Sequence, residues 1–242
     1  MCPQKWGKIT ILDKADAIRR KRQQAIQLAD EFLRAVFLDM FGDPVTNPKG
    51  WEVRKVSDIS RQVTVGLVIK PASYYVDKGI PAIRSLNIKE TGIDQNNFVY
   101  FSESDNAGPL AKSRVYSGDI VIVRSGQPGK AAVIPDDLDG VNAIDVLILR
   151  PDAQCINSDY FAYFMNSGAG KNLVMSEGRG QIQQHLNVGS LSAADMPVPA
   201  LELQEKFVRT LKDIRDKFSV EGDGKHSGLF NSLSQKAFKG EL

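Results

Sequence analysis

The stretch "SGDIVIVRSGQPGKAAVI", residues 117–134, sets an arginine, a lysine and glycines between two apolar runs. Basic side chains beside glycines suit phosphate, so a nucleotide-binding loop is the first pattern to test. That loop requires G-x-x-x-x-G-K-[ST] between a buried strand and a helix. Here only Gln127 and Pro128 separate Gly126 from Gly129, and Ala131 stands where a hydroxyl would hold magnesium. The following "AAVIP" is short, ends in a β-branched pair and stops at Pro135, as a second strand would. The stretch reads as strand, Gly-Pro-Gly loop, strand. It is either an ordinary hairpin, or a hairpin whose tip holds Arg124, Ser125, Gln127 and Lys130 towards a polyanion.

Other catalytic patterns fail on spacing. Asn47-Pro48-Lys49 lacks the second proline and the stacking aromatic of an amino-methyltransferase motif. Pro151-Asp152 finds its acid-x-Lys partner only at Asp223-Gly224-Lys225, far along the chain in a glycine-rich break. No G-x-S-x-G elbow is present. Cys2 and Cys155 have neither disulfide nor zinc spacing, and His185 and His226 lie far apart. No acid, base or nucleophile is nominated, and the chain reads as a binding module.

The 242 residues are 42 % hydrophobic and 25 % charged, enough for one sizeable core with appended elements. A net charge of +2 does not announce nucleic acid, so any basic surface must come from local clustering. No signal peptide and no apolar run near membrane-spanning length is visible, and a cytoplasmic location without membrane contact is the expectation.

The elements that must position the hairpin follow from periodicity. Residues 11–41, "ILDKADAIRRKRQQAIQLADEFLRAVFLDMF", contain no glycine or proline. Ile11, Ala15, Ile18, Ala25, Ala29, Phe32 and Val36 fall on three- and four-residue steps with one longer gap, a heptad-like seam. At 1.5 Å per residue the helix is about 45 Å long, the length of a spacer or dimer-forming arm. The run Arg19–Arg22 sits mainly off the seam, as a solvated face or a phosphate or partner contact. Gly42, Asp43 and Pro44 stop the helix. Residues 45–198 alternate short β-rich runs with turns: "WEVRKV", "IPAIRS", "FVYF", "DIVIV", "AAVI" and "DVLILR", with helical pieces at 159–166 and 171–176. After Pro197 and Pro199, Leu203, Phe207, Leu211, Ile214 and Phe218 again step by three and four. Glycines at 222, 224 and 228 then break the pattern before a last amphipathic piece carrying Leu229, Leu233 and Ala237.

Six stretches together resemble the specificity subunit of type I restriction-modification enzymes, in the family's order and over nearly the whole chain. They are residues 11–44, "NPKGWEVRKVSDI" (47–59), "GIPAIRSLNIKETGI" (79–93), "YSGDIVIVRSGQPGKAAVI" (116–134), "GRGQIQQHLNVGSLSAADMPVPALELQEKFV" (178–208) and "LFNSLSQKAFKGEL" (229–242). The resemblance implies an α+β fold: one mixed, β-rich target-recognition domain flanked by long helices that form a coiled-coil-like arm. The parts would be an N-terminal helical region (1–44), a DNA-binding domain (45–198) and a C-terminal helical region (199–242). The family usually carries two recognition domains, and this chain carries one. It is then a half-subunit that dimerises through its helices, or the distal half of a longer chain.

The resemblance further implies a non-catalytic subunit that binds a double-stranded DNA half-site and docks a methyltransferase subunit. S-adenosylmethionine would sit on that partner, and ATP and magnesium on a restriction/translocase subunit, with no cofactor in this chain. A homodimer would read a bipartite palindrome. Its subunit-contacting helices would use Ile11, Ile18, Ala25, Phe32 and Val36, and Phe207, Leu211, Ile214, Phe218, Leu229 and Leu233. Within such a domain the hairpin would face DNA, with the Gly126 and Gly129 N–H groups, Arg124 and Lys130 on phosphates. In "EGRGQIQQHLN", 177–187, Arg179 can fork onto guanine and Gln181, Gln183 and Gln184 can pair with adenine edges. Arg84, Ser85, Asn87 and Lys89 form a third candidate. Two alternatives stay open: a stand-alone DNA-binding protein, and a protein–protein oligomerisation module.

Overall fold

The computed structural model describes residues 4–175 and 185–218, with side chains from Lys14 onward except those of Ala15 and Phe218. Leu229 and Leu233 therefore lie outside the described residues, as do the side chains of Ile11 and Phe218. By contacts the chain divides into two compact units. One joins the residues up to Asp39 with those from Arg209 onward, and the other runs Met40–Val208.

Helix α1, Gln4–Phe41, is a run of 38 residues, longer at its N-terminal end than the periodicity alone predicts. Gly42, at φ +77°, ends it in the left-handed conformation that costs glycine least. Ala29, Leu33 and Phe37 are buried at four-residue steps. The expected seam is divided: its Ala29 belongs to this buried stripe and its Ala25 and Val36 are half-buried, while Ile18 and Phe32 are 62 % and 54 % exposed, beside Leu28 at 58 %. Successive residues turn by about 100°, so Phe32 and Leu33 belong to different faces. The helix thus carries one apolar stripe used within the chain and a second left uncovered. Arg19 and Arg20 of the basic run both bond Asp16, at 2.9 and 2.7 Å, as a solvated charge cluster. The Arg19 hydrogen bond leads the effects that hold the Asp16 carboxyl below its ordinary range.

The Met40–Val208 unit follows the order β1 (Glu52–Lys55), β2 (Ser60–Val65), β3 (Tyr75–Val76), β4 (Ile80–Ile83), β5 (Ile88–Lys89), β6 (Gly92–Ile93), β7 (Val99–Phe101), α2 (Glu103–Ala107), β8 (Ile120–Val123), β9 (Ala131–Val133), β10 (Asn142–Ala143) and β11 (Val146–Pro151). It continues through α3 (Ser158–Asn166), α4 (Gly168–Met175), α5 (Val188–Ala193) and β12 (Asp195–Val198) into α6, Leu201–Phe218. The central sheet is antiparallel, in the order β2-β11-β8-β9. A second sheet, β10-β4-β7-β3, is mixed, with β10 parallel to β4. Ile120–Val123 and Val146–Leu149 are buried at every position, the signature of strands covered on both faces. Val121, Val123, Val146 and Ile148 pack with Ile83, Ile88 and Ala143 into a core joining the two sheets.

Several polar side chains inside the unit tie its elements together. Gln204 accepts from the Asn157 N–H and donates to the Pro199 and Cys155 carbonyls, which ties the start of α6 to the loop before α3. Asn166, at the end of α3, brackets the edge of β9 by accepting from the Ala131 N–H and donating to its carbonyl. Asp119 accepts from the Tyr116 N–H and from Arg150, but burial outweighs them and pushes its carboxyl above the ordinary value.

The two sheets meet at Gly66. A Cβ there would stand 2.3 Å from the Ala143 carbonyl oxygen, closer than any real contact. Gly66→Ala therefore has to separate β2 from the β10–β11 connection, at an expected cost of roughly 1–3 kcal/mol for overpacking. Gly168→Ala, where nothing lies within 4 Å of the added carbon, leaves stability unchanged or raised. Denaturant unfolding of the two variants beside the parent chain checks this.

Candidate nucleic-acid interface

One end of the central sheet collects the loops that carry the hairpin and its neighbours. There Val65 ends β2 opposite Leu147, Val123 ends β8 opposite Val146, and Ala131 begins β9. The turn Ile144–Asp145, before β11, is the junction. The Ile144 N–H donates to the Ile83 carbonyl at 2.8 Å, and the Asp145 N–H to the Leu67 carbonyl at 3.0 Å. The Leu67 N–H returns a bond to Ala143 at 2.8 Å. Asp145 has φ +50°, a conformation tolerated by short polar residues, and its side chain projects outward.

The Asp145 carboxylate lies 3.2 Å from Nη1 of Arg124. Nη2 of Arg124 is 2.8 Å from Nε2 of His185, with Nε at 3.3 Å. A guanidinium can only donate, so Nε2 of His185 stands as the acceptor. The Leu186 N–H bonds the Arg124 carbonyl at 2.9 Å. Arg124, 18 % exposed, is thus the strut among the hairpin, the Asp145 turn and the segment at His185.

Beyond it Ser125, Gly126 and Gln127 are exposed. Lys130 donates to the Gln127 side chain at 2.6 Å. Gly126 and Gly129 both take positive φ, +79° and +86°, which explains the glycines of the tip. The Gly129 N–H is spent on the Val123 carbonyl at 2.9 Å, so it is not the phosphate donor expected of it. Over Gly129 lies Lys171 of α4, its Cγ 3.2 Å from where a Cβ would stand. Lys171 is a cation of this end that sequence reasoning missed, because only the tertiary fold brings α4 to the hairpin.

The third candidate stretch adjoins the same junction through Ile83. Ser85 is exposed, and Lys89, 48 % exposed, stands 3.8 Å from Asp94. Arg84 is turned inward, with Nη2 donating to the Asn97 carbonyl. Asn87 is fully enclosed: it accepts from the Arg84 N–H and donates to the carbonyls of Asp94 and Asn96, at 2.9–3.0 Å. Its amide shapes the 84–97 loop and is closed to a base. Arg179, Gln181, Gln183 and Gln184 lie outside the described residues. The residues flanking them do not: Lys171 covers Gly129, and His185 meets Arg124. Among the described residues no group of three His, Cys, Asp or Glu comes together to hold a metal.

With this geometry in view, comparison with known proteins defines the class. The chain has the α+β fold of the HsdS subunit from Thermoanaerobacter tengcongensis, at a TM-score of 0.58 and 16 % identity over 98 % of this chain and 57 % of that one. A type I restriction-modification S subunit from M. genitalium matches at a TM-score of 0.55 and 14 % identity, over 94 % of this chain and 56 % of that one. In sequence, the type I restriction enzyme EcoBI specificity subunit of Escherichia coli is 21 % identical over 96 % of this chain and 54 % of its own length. Residues 48–227 match the type I restriction modification DNA specificity domain, and the chain belongs to that family, whose members are non-catalytic specificity components. It spans about half the length of the curated relative it matches.

The enclosure of Asn87 has a direct consequence. Asn87→Ala leaves two carbonyls and one N–H without their partner around a buried position, at an expected cost of roughly 1–3 kcal/mol. Amide hydrogen exchange should show faster opening of 84–97 than of β8 and β11.

Proposed function

We propose that this chain is the DNA sequence-recognition subunit of a type I restriction-modification complex. The Met40–Val208 unit binds a double-stranded DNA half-site through the loop-bearing end of the central sheet. The helices dock a methyltransferase subunit. That partner binds S-adenosylmethionine, takes the target adenine out of the stack and carries out the transfer. A restriction/translocase subunit using ATP and magnesium joins the assembly in turn. The observation that carries this reading is the convergence of loops 66–70, 84–89 and 124–130 with His185 on the Ile144–Asp145 turn, in a chain of the DNA specificity family. Exposed Ser85, Ser125, Gln127 and Lys89 supply polar readers and cations there, with Lys130 and Lys171 beside them. Arg179, Gln181, Gln183 and Gln184 belong to the same proposed surface.

A single recognition unit calls for a second. The uncovered stripe of α1, with Ile18, Leu28 and Phe32 exposed, suits a second copy of the chain, and two copies rebuild a two-domain reader with two-fold symmetry. Its target is a bipartite palindrome with a spacer set by the helical arm.

Co-expression with the methyltransferase subunit and mapping of N6-methyladenine tests both statements. Methylation at a split palindromic motif is expected, and an asymmetric split motif would exclude the homodimer. Lys130→Ala and Lys171→Ala should weaken binding across all duplexes and each lower the slope of log K against log salt by about 0.9. Phe32→Asp should abolish dimerisation or methyltransferase co-purification, read by light scattering and pull-down, with the thermal midpoint unchanged.

A further inference from the structure

The loop that follows β2 carries a feature that the recognition residues do not use. Val68 and Ile69 are 46 % and 77 % exposed, and Ile69 is the most exposed large apolar side chain among the described residues. Single exposed apolar side chains are ordinary. These two are adjacent and sit on a tip fixed at both ends. On the near side, Leu67 is held by main-chain bonds to Ala143 and Asp145. On the far side, the Lys70 carbonyl accepts from both the N–H and the hydroxyl of Ser73, at 3.0 and 2.8 Å. Lys70 itself takes φ +46°, a conformation unfavourable for lysine, and Pro71 fixes the next φ. The two-residue tip is therefore presented with little freedom left to lose, which lowers the entropic cost of inserting it.

Its surroundings indicate what covers it. Lys70 is the next residue, and Leu67 bonds the Asp145 turn of the junction described above. An apolar point beside a cation matches a duplex, whose phosphates flank the apolar surfaces of its bases. Those surfaces are of two kinds: the thymine methyl in the major groove, and the faces of a base step opened from the minor groove. We propose that Val68 and Ile69 form a preorganised apolar wedge that packs against a base of the DNA target and fixes specificity at that position. The proposal rests on the reading of this unit as a DNA recognition module.

The test uses the complex assembled with the methyltransferase subunit. Fluorescence anisotropy is read on a duplex carrying the mapped motif and on a scrambled duplex, over a range of salt. Ile69→Ser, and Val68→Ser with Ile69→Ser, should bind the motif roughly tenfold more weakly, the scale of one mispaired position. Their binding to the scrambled duplex and their salt slope should match the parent. Lys70→Ala should instead lower affinity for both duplexes and reduce the slope, and Ile69→Leu should retain recognition. If deoxyuridine in place of one thymine reproduces the loss in the parent and adds nothing in Ile69→Ser, the wedge meets a methyl group. If 2-aminopurine brightens on binding to the parent and not to Ile69→Ser, it enters a base step.

A parent complex that discriminates the motif, paired with an Ile69→Ser complex of equal affinity, sinks the wedge and leaves the recognition function standing. Loss of methyltransferase co-purification in Ile69→Ser would reassign the tip to protein docking and overturn the proposal. A parent complex that tells neither duplex apart removes the recognition function itself.

Discussion

The close approach of Gly66 to the Ala143 carbonyl is the constraint on which the rest of the globular unit depends. An antiparallel sheet and a mixed sheet have to share a corner there, and main-chain bonds on either side of the contact stitch them together. The Gly66 N–H donates to Val146, the Leu67 N–H to Ala143 and the Asp145 N–H to Leu67. A side chain at 66 would hold the strands apart and break the series. Because the corner closes, the ends of β2, β4 and β8 and the start of β11 arrive together, and so do the loops they carry. The buried valines and isoleucines of β8 and β11 supply the driving force by leaving water. The corner sets where that force places the loops.

Electrostatics at this end are local, as a chain of net charge +2 requires. Arg124 is not simply a cation offered to solvent. Asp145 and His185 take up its donors, so its role begins as a brace among segments distant in sequence. The cations left nearer the surface come from separate places: Lys130 on the hairpin, Lys171 on α4, Lys70 after β2 and Lys89 on β5. No single stretch of sequence is strongly basic there.

Legibility in the sequence tracked how local the cause was. The all-apolar runs of β8 and β11, the glycines that turn the hairpin, and the helix ended by Gly42 were readable because each depends on near neighbours. Strand β2, "SRQVTV", passed unnoticed because its apolar character is weak and its place comes from pairing with β11. Strand β12 passed because Pro197 reads as a breaker, yet proline is tolerated in a two-stranded edge pair. On α1 the heptad-like reading mixed the two stripes, taking Ala29 from the buried one and Ile18 and Phe32 from the uncovered one, since both have helical spacing and only tertiary contacts separate them. In the site, Asn87 looked like a reader by type, while its bonds to Asp94 and Asn96 across a loop could not be seen along the chain. Lys171 and Asp145 had no local signal at all.

Beside the Arg124 strut, the junction at Ile144–Asp145 is held by main-chain atoms. Ile144 to Ile83, Asp145 to Leu67, Leu67 to Ala143 and Leu186 to Arg124 are all N–H to carbonyl bonds, indifferent to which side chains stand on either residue. A frame of this kind separates the cost of holding the loops from the identity of what they display. Under the proposed function, substitutions at the exposed tips, Ile69, Ser85 or Gln127, would change what is displayed to DNA without breaking these main-chain bonds. If the proposed function holds, the residues to vary for a new target and the residues to leave alone are physically distinct sets.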